Sequence, residues 1–335
     1  MSIQTSVTFK LARAVQGRLF IHCLPLAGLL LASNIATAAS NWVSSGTPGS
    51  PVIPFDALVT GRGPVVVPGE PNPPLYTCRG GQSEGYGLQI GMFAPGSKTC
   101  NFGYGGVEIS VLDFEILATS WQTASGGYVP PNAVQGGWDS PPPGSTVKPP
   151  LYYCRGVIRD KAVSLQLGKI RPGFAGCDVP YSGREVSINP YEVLVASNPP
   201  MPLANVAADN GFVPHDAIRA GTDADGTPLY ICSAIYDGST IPGKLHSSFH
   251  GCNVSFGGVE HTIFDYYVLV PSWLGAPFFD FPAGVDVDGS PLYVCRGLLN
   301  GGIQYPGKMR RTWSNCNFGL AGKEQSDTLY ELLSH

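Results

Sequence analysis

Pro228-Leu229-Tyr230-Ile231-Cys232 and Pro291-Leu292-Tyr293-Val294-Cys295 are one phrase written twice. In the second, Leu292 and Val294 point to one side of an extended chain and Tyr293 and Cys295 to the other. Two earlier copies read Pro74-Leu75-Tyr76-Thr77-Cys78 and Pro150-Leu151-Tyr152-Tyr153-Cys154. Arg79, Arg155 and Arg296 follow the cysteine in three copies, and Ser233 in the third. A second cysteine comes 20 to 23 residues later, at Cys100, Cys177, Cys252 and Cys316. A glycine-bearing strand with a glutamate follows (Glu108, Glu185, Glu260, Glu324), and each copy closes on an apolar strand such as Tyr191-Glu192-Val193-Leu194-Val195. Four such copies predict an all-β tandem-repeat protein with little helix.

In Cys252-Asn253-Val254-Ser255-Phe256 the Cys, Val and Phe share a face, so both cysteines of a copy can enter one core. Bridges Cys78–Cys100, Cys154–Cys177, Cys232–Cys252 and Cys295–Cys316 are expected, although the sequence also admits pairing between copies. Each would contribute roughly 3 kcal/mol in the loop-entropy picture. Without a close C-x-x-C spacing, tetrahedral zinc is disfavoured.

Composition agrees with many short strands. Charged residues are only 13% of the chain, while Gly (43) and Pro (31) are plentiful and aromatics reach 10%, which is not a disordered composition. The first 38 residues read as a signal peptide: Lys10, Arg13 and Arg18, an apolar run Leu24–Ala32 well short of the about 20 residues of a spanning helix, then Ala36-Thr37-Ala38. Cys23 would leave with it, making eight cysteines, an even number suited to an oxidising compartment. The mature chain would hold 17 basic and 24 acidic residues, a net charge of −7, which argues against nucleic acid or an anionic membrane as partner. Localisation is therefore expected to be secreted or periplasmic, with no membrane span.

Trp121 and Trp273 follow the closing strands of copies one and three, and Asn198-Pro199-Pro200-Met201-Pro202 reads as a stiff linker. This predicts two lobes of consecutive copies, 39–197 and 198–335, with both tryptophans as core anchors.

Gly221-Thr222-Asp223-Ala224-Asp225-Gly226-Thr227-Pro228-Leu229-Tyr230, then Pro242-Gly243-Lys244, then Gly251-Cys252-Asn253-Val254-Ser255-Phe256-Gly257-Gly258-Val259-Glu260 resembles the DM-nine repeat of secreted lectin-like and natterin-like proteins. The resemblance implies a compact all-β unit, so that each lobe would be a pseudo-twofold pair of antiparallel β repeats, and it implies carbohydrate recognition, with mannose-containing glycans as partners. It also implies sugar contacts at Asp223 with Lys244 and Asp286 with Lys308. A carboxylate accepts from neighbouring hydroxyls, an ammonium donates, and Pro-Gly is read as a tight turn holding the lysine. Counting seven residues back from the Tyr places Ser145 and Gly69 at the Asp position of copies two and one, so the first lobe reads as degenerate. The family's usual small residue after the L-Y phrase is cysteine here.

Gly81-Gln82-Ser83-Glu84-Gly85 matches a nucleophile elbow but lacks the following helix, and His246, His250 and His261 have no counterparts in copy four. Neither catalysis, cofactor nor metal is expected. The alternative to a lectin-like protein is a structural or adhesive protein of the envelope or extracellular space, and oligomers are compatible with either.

Overall fold

The computed structural model describes residues 41–64, 72–160, 162–197, 200–274, 281–299, 303–321 and 323–334. The expected signal peptide, Gly69 and the start of the Asn198–Pro202 linker lie outside them. The described residues form 28 strands and no α-helix. All four expected intra-copy disulfides are present, with Cα–Cα distances of 5.9 to 6.1 Å.

Every copy is built from seven strands. Copy three shows the plan. An edge strand (Leu203–Asp209) precedes a short leading strand (Arg219–Thr222). The P-L-Y-x-C strand (Pro228–Tyr236), the lysine strand (Ser239–Leu245), the second-cysteine strand (Cys252–Phe256), the glutamate strand (Val259–Ile263) and the closing strand (Asp265–Pro271) follow. The alternation expected of the P-L-Y-x-C phrase is present, and both faces are buried. Leu292 and Val294 enter a central core shared by all four copies, whereas Tyr293 and Cys295 enter a core belonging mainly to copy four. Leu229 and Ile231 likewise join the central core, and Cys232 a core belonging mainly to copy three. Strands apolar on both faces are what a sheet covered on both sides requires.

Copies do not pair in the order one with two and three with four. One 14-stranded sheet joins copies one and four, the other copies two and three. The expected lobes 39–197 and 198–335 are thereby replaced by a contiguous inner lobe, Trp121–Pro271, and an outer lobe made from Trp42–Leu117 and Trp273–Leu333. The tryptophans explain why. Trp121 pairs with Leu194 of copy two and Trp273 with Leu333 of copy four, so each opens the copy after it instead of closing the one before. Both are half-buried against the central core, as is Trp42, which does the same for copy one.

Two glycine positions set the close approaches. Pro242-Gly243-Lys244 lies inside a strand and is not a turn. A Cβ on Gly243 would sit 2.2 Å from the carbonyl oxygen of Asn253, and Gly91, Gly168 and Gly307 meet the same obstacle on their own second-cysteine strands. Gly221 of the leading strand would put a Cβ 2.4 Å from the Leu165 carbonyl of the partner copy, and its equivalent Gly137 one 1.9 Å from that of Thr240. Only glycine lets the leading strand of one copy dock on the lysine strand of its partner.

Candidate ligand site

The docking just described creates the site. Where the leading strand of copy three ends, Thr222 pairs with Leu165 of copy two, and Asp223 follows directly. Asp223 therefore stands beside Gln166, on the lysine strand of the other copy. The Gln166 amide donates to Asp223 Oδ1 (3.1 Å), while Lys244 Nζ donates to Gln166 Oε1 (2.7 Å). The predicted Asp and Lys are thus linked through an amide instead of pairing directly. The outer lobe repeats this: Gln89 of copy one donates to Asp286 Oδ1 (3.1 Å) and accepts from Lys308 Nζ.

Both lysines are buried, Lys244 being 3% exposed and Lys308 2%. Burial pushes their ammonium groups down, Lys308 to about 8, while Glu260 and Asp223 (for Lys244) and Glu324 and Asp286 (for Lys308) pull the other way. Lys244 lies 5.7 Å from the centre of the Tyr181 ring and 5.8 Å from that of Phe249, a cation–π setting that offsets part of the lost hydration. The lysines therefore hold the network from behind, and the carboxylates form its outer end.

The recurring glutamates lock the copies together here. Glu260 Oε1 lies 3.7 Å from Lys244 Nζ, and its Oε2 accepts from the Gly183 N–H in the partner's hairpin turn (2.6 Å). Glu185 reciprocates, taking Lys169 on Oε1 (2.6 Å) and the Gly258 N–H on Oε2 (2.8 Å). Glu324 caps the Gly106 N–H in the outer lobe (2.8 Å).

Register also reassigns copy two. Asp139 follows the leading strand Gln135–Trp138, and its N–H bonds the Pro149 carbonyl as that of Asp223 bonds the Thr227 carbonyl. The Asp position of copy two is therefore Asp139, not Ser145. Asp139 stands 13 residues before Tyr152 because Ser140–Lys148 lengthens the loop, so counting back seven overshoots. The echo of Gly137-Trp138-Asp139 with Gly221-Thr222-Asp223 was the available signal. In copy one the position is Gly63, whose N–H bonds the Pro73 carbonyl, and Met92 replaces the lysine by register. Copy one alone is blank, so the expected degenerate first lobe reduces to one copy.

The remaining three aspartates are not equivalent. Arg310, two residues past Lys308, binds Asp286 Oδ2 through Nε (3.1 Å) and again through its terminal nitrogen, and reaches Asp288 (2.7 Å). Burial raises Asp286, but the bonds from Arg310, the Val287 N–H and Gln89 outweigh it, and its carboxyl stays below the usual range. Arg171 holds Asp139 Oδ2 in the same manner (2.9 Å). In copy three this position is His246, whose Nδ1 is occupied by the Ser248 N–H (2.9 Å). Asp223 Oδ1 takes Gln166 and the Ala224 N–H, and among the described residues its Oδ2 takes no hydrogen bond. Asp223 is also half-exposed, against 7% exposure for Asp286. The sequence-predicted Asp286–Lys308 pair is thus brought together but closed by Arg310, and the Asp223–Lys244 pair is brought together and open.

The remaining candidates have local roles. Ser83 sits in a turn and donates to Glu84 (2.8 Å), with no helix after it. Asp225-Gly226 forms a turn, Gly226 having φ +88° and Asp225 Oδ1 accepting from the Thr227 N–H (2.9 Å). His261 stacks on Tyr236, 4.3 Å between ring centres.

The fold and site define a disulfide-stapled, all-β tandem-repeat protein in which polar sites arise where copies pair. The DM9 repeat matches residues 70–164 and 145–263, more than half of the sequence, and the chain belongs to the DM9 repeat family. No curated protein matches it. Among solved structures, the crystal structure of the nematode sperm cell motility protein MFP2B matches at 12% identity, covering 88% of this chain and 97% of that one, with a TM-score of 0.18.

Proposed function

We propose that this is an exported, non-catalytic carbohydrate-binding protein of the DM9 repeat family, with copy three as its principal site. The observation that carries the reading is the Asp223 carboxylate. One oxygen is fixed by Gln166 and a backbone N–H, and the other takes no hydrogen bond among the described residues, on a partly exposed side chain linked through Gln166 to the buried Lys244 ammonium. A carboxylate so fixed accepts from vicinal sugar hydroxyls without reorganising, which lowers the entropic cost of binding. The eight paired cysteines support export to an oxidising compartment.

A glycan array followed by calorimetry on mannose-containing ligands tests this. Asp223→Ala is expected to weaken binding at least tenfold and Asp286→Ala by less than threefold, since Arg310 already occupies Asp286. No glycan bound, or affinity unchanged in the double variant, would remove the reading.

A further inference from the structure

Three copies share a stack that copy three lacks. In copy two, Arg155 lies with its guanidinium 4.1 Å from the centre of the Trp121 ring, binds Glu192 (2.7 Å) and donates to the Ala220 carbonyl of copy three (3.3 Å). Arg79 does the same with Trp42 (4.3 Å), Glu115 (2.7 Å) and the Ala283 carbonyl (3.2 Å). Arg296 repeats it with Trp273 (4.2 Å) and Glu331 (2.7 Å). Strand register identifies the three counterparts in copy three. Ser233 pairs with Tyr267 where Arg155 pairs with Glu192, and Asn205 faces Leu269 where Trp121 faces Leu194. All three members of the stack have been replaced by smaller or uncharged side chains.

A cavity of about 330 Å3 occupies that place, lined by Gln135, Trp138, Asn205, Ser233, Thr240 and Tyr267, with the Gly136 and Gly137 backbone as one wall. Gly136 corresponds in register to Ala220, so its carbonyl faces the slot where a guanidinium would have donated. No charged side chain lines the cavity. Trp138 (45% exposed) and Tyr267 (39% exposed) offer aromatic surface at the rim, while Ser233 (2% exposed) is deep, beside the buried Tyr153.

We propose that this cavity is a second ligand site, specific to copy three, for a neutral pyranose or comparable uncharged polyol. The size lies at the small end of ligand pockets, which run about 300–1,000 Å3, and suits a single ring. A neutral lining matches a neutral ligand, since a charged one would be desolvated without a partner. Amides, hydroxyls and a backbone carbonyl complement ring hydroxyls, and the aromatic faces complement the C–H face of a sugar ring. The site contains neither Asp223 nor Lys244 and is independent of the reading given above.

The test is calorimetry on the full chain with neutral methyl glycosides (α-D-manno-, α-D-gluco- and β-D-galactopyranoside), run in an Asp223→Ala/Asp286→Ala background so that the carboxylate sites are silent. At least one glycoside is expected to bind saturably. Refilling the slot with the residues of the other copies (Asn205→Trp, Ser233→Arg and Tyr267→Glu together) is expected to weaken it at least tenfold. Trp138→Ala, at an exposed position, is expected to do the same with the melting temperature unchanged, which covers the case in which the triple variant does not fold. No saturable binding in the double-alanine background, or affinity unchanged in Trp138→Ala, would overturn the proposal even if the Asp223 site stands.

Discussion

Lys308 departs from the ordinary behaviour of a lysine. Its ammonium is buried, and burial lowers it from 10.5 to about 8 in the folded chain, against the pull of Glu324 and Asp286. Between those values the unfolded chain binds more protons than the folded one, so the contribution of this side chain to stability rises with pH from about 8 to about 10.5 and is flat below. Copy one carries Met92 at the matching place, so Lys308→Met is the natural comparison. Denaturant unfolding at pH 7 to 10 should show the wild type gaining stability relative to Lys308→Met above pH 8, and a constant difference across that range would count against the assignment. The Asp and Lys of this site were legible through the resemblance of copies three and four to the DM-nine repeat, Asp223 and Asp286 each standing seven residues before the Tyr and Lys244 and Lys308 each ending a Pro-Gly-Lys. Gln89 and Gln166 were not, because each serves a lysine in a different copy and means nothing until the pairing of copies is known. Asp139 was hidden by a lengthened loop, and the closing of Asp286 by Arg310 depends on a side chain reaching across two strands.

At the scale of the element, the glutamate strand and its hairpin join the copies. Glu260 N–H bonds the Gly183 carbonyl while its side chain takes the Gly183 N–H, and Glu185 does the reverse with Gly258. The four glutamates were visible as a recurrence, but the role of Glu185, Glu260 and Glu324 was not, since each caps a turn in the other copy. Glu260→Ala removes the carboxylate beside buried Lys244, the acceptor of the Asn253 amide and the cap on Gly183. It should cost about 1–3 kcal/mol, the range for leaving buried polar groups unmade. Thermal unfolding of the variant measures the loss, and an unchanged melting temperature would show that neither the cap nor the lysine contact carries stability.

At the scale of the whole molecule, consecutive reading fails for a physical reason. A linker and a tryptophan mark where a copy begins, but nothing local states which copy will supply the facing strand. The P-L-Y-x-C strands carry apolar residues on both faces, which fits a private core on one side and a common core on the other whichever copies are joined. The structure joins the first copy to the last and encloses the middle pair, so the inner lobe Trp121–Pro271 is one unbroken piece of chain with two of the disulfides. The two arrangements differ in what a fragment can do. Residues 120–272 contain both partners of their sheet and should unfold cooperatively with Cys154–Cys177 and Cys232–Cys252 intact. That fragment should also self-associate, because Tyr153, Leu167, Ile218 and Leu229 lose the outer lobe that covers them. Residues 39–197 hold copies one and two, neither with its partner, and should show no cooperative transition. Amide exchange on the two fragments decides it: protection in 39–197 comparable to that in 120–272 would mean that copies one and two can pair with each other, and that the pairing of first with last and second with third is not what holds the sheets together.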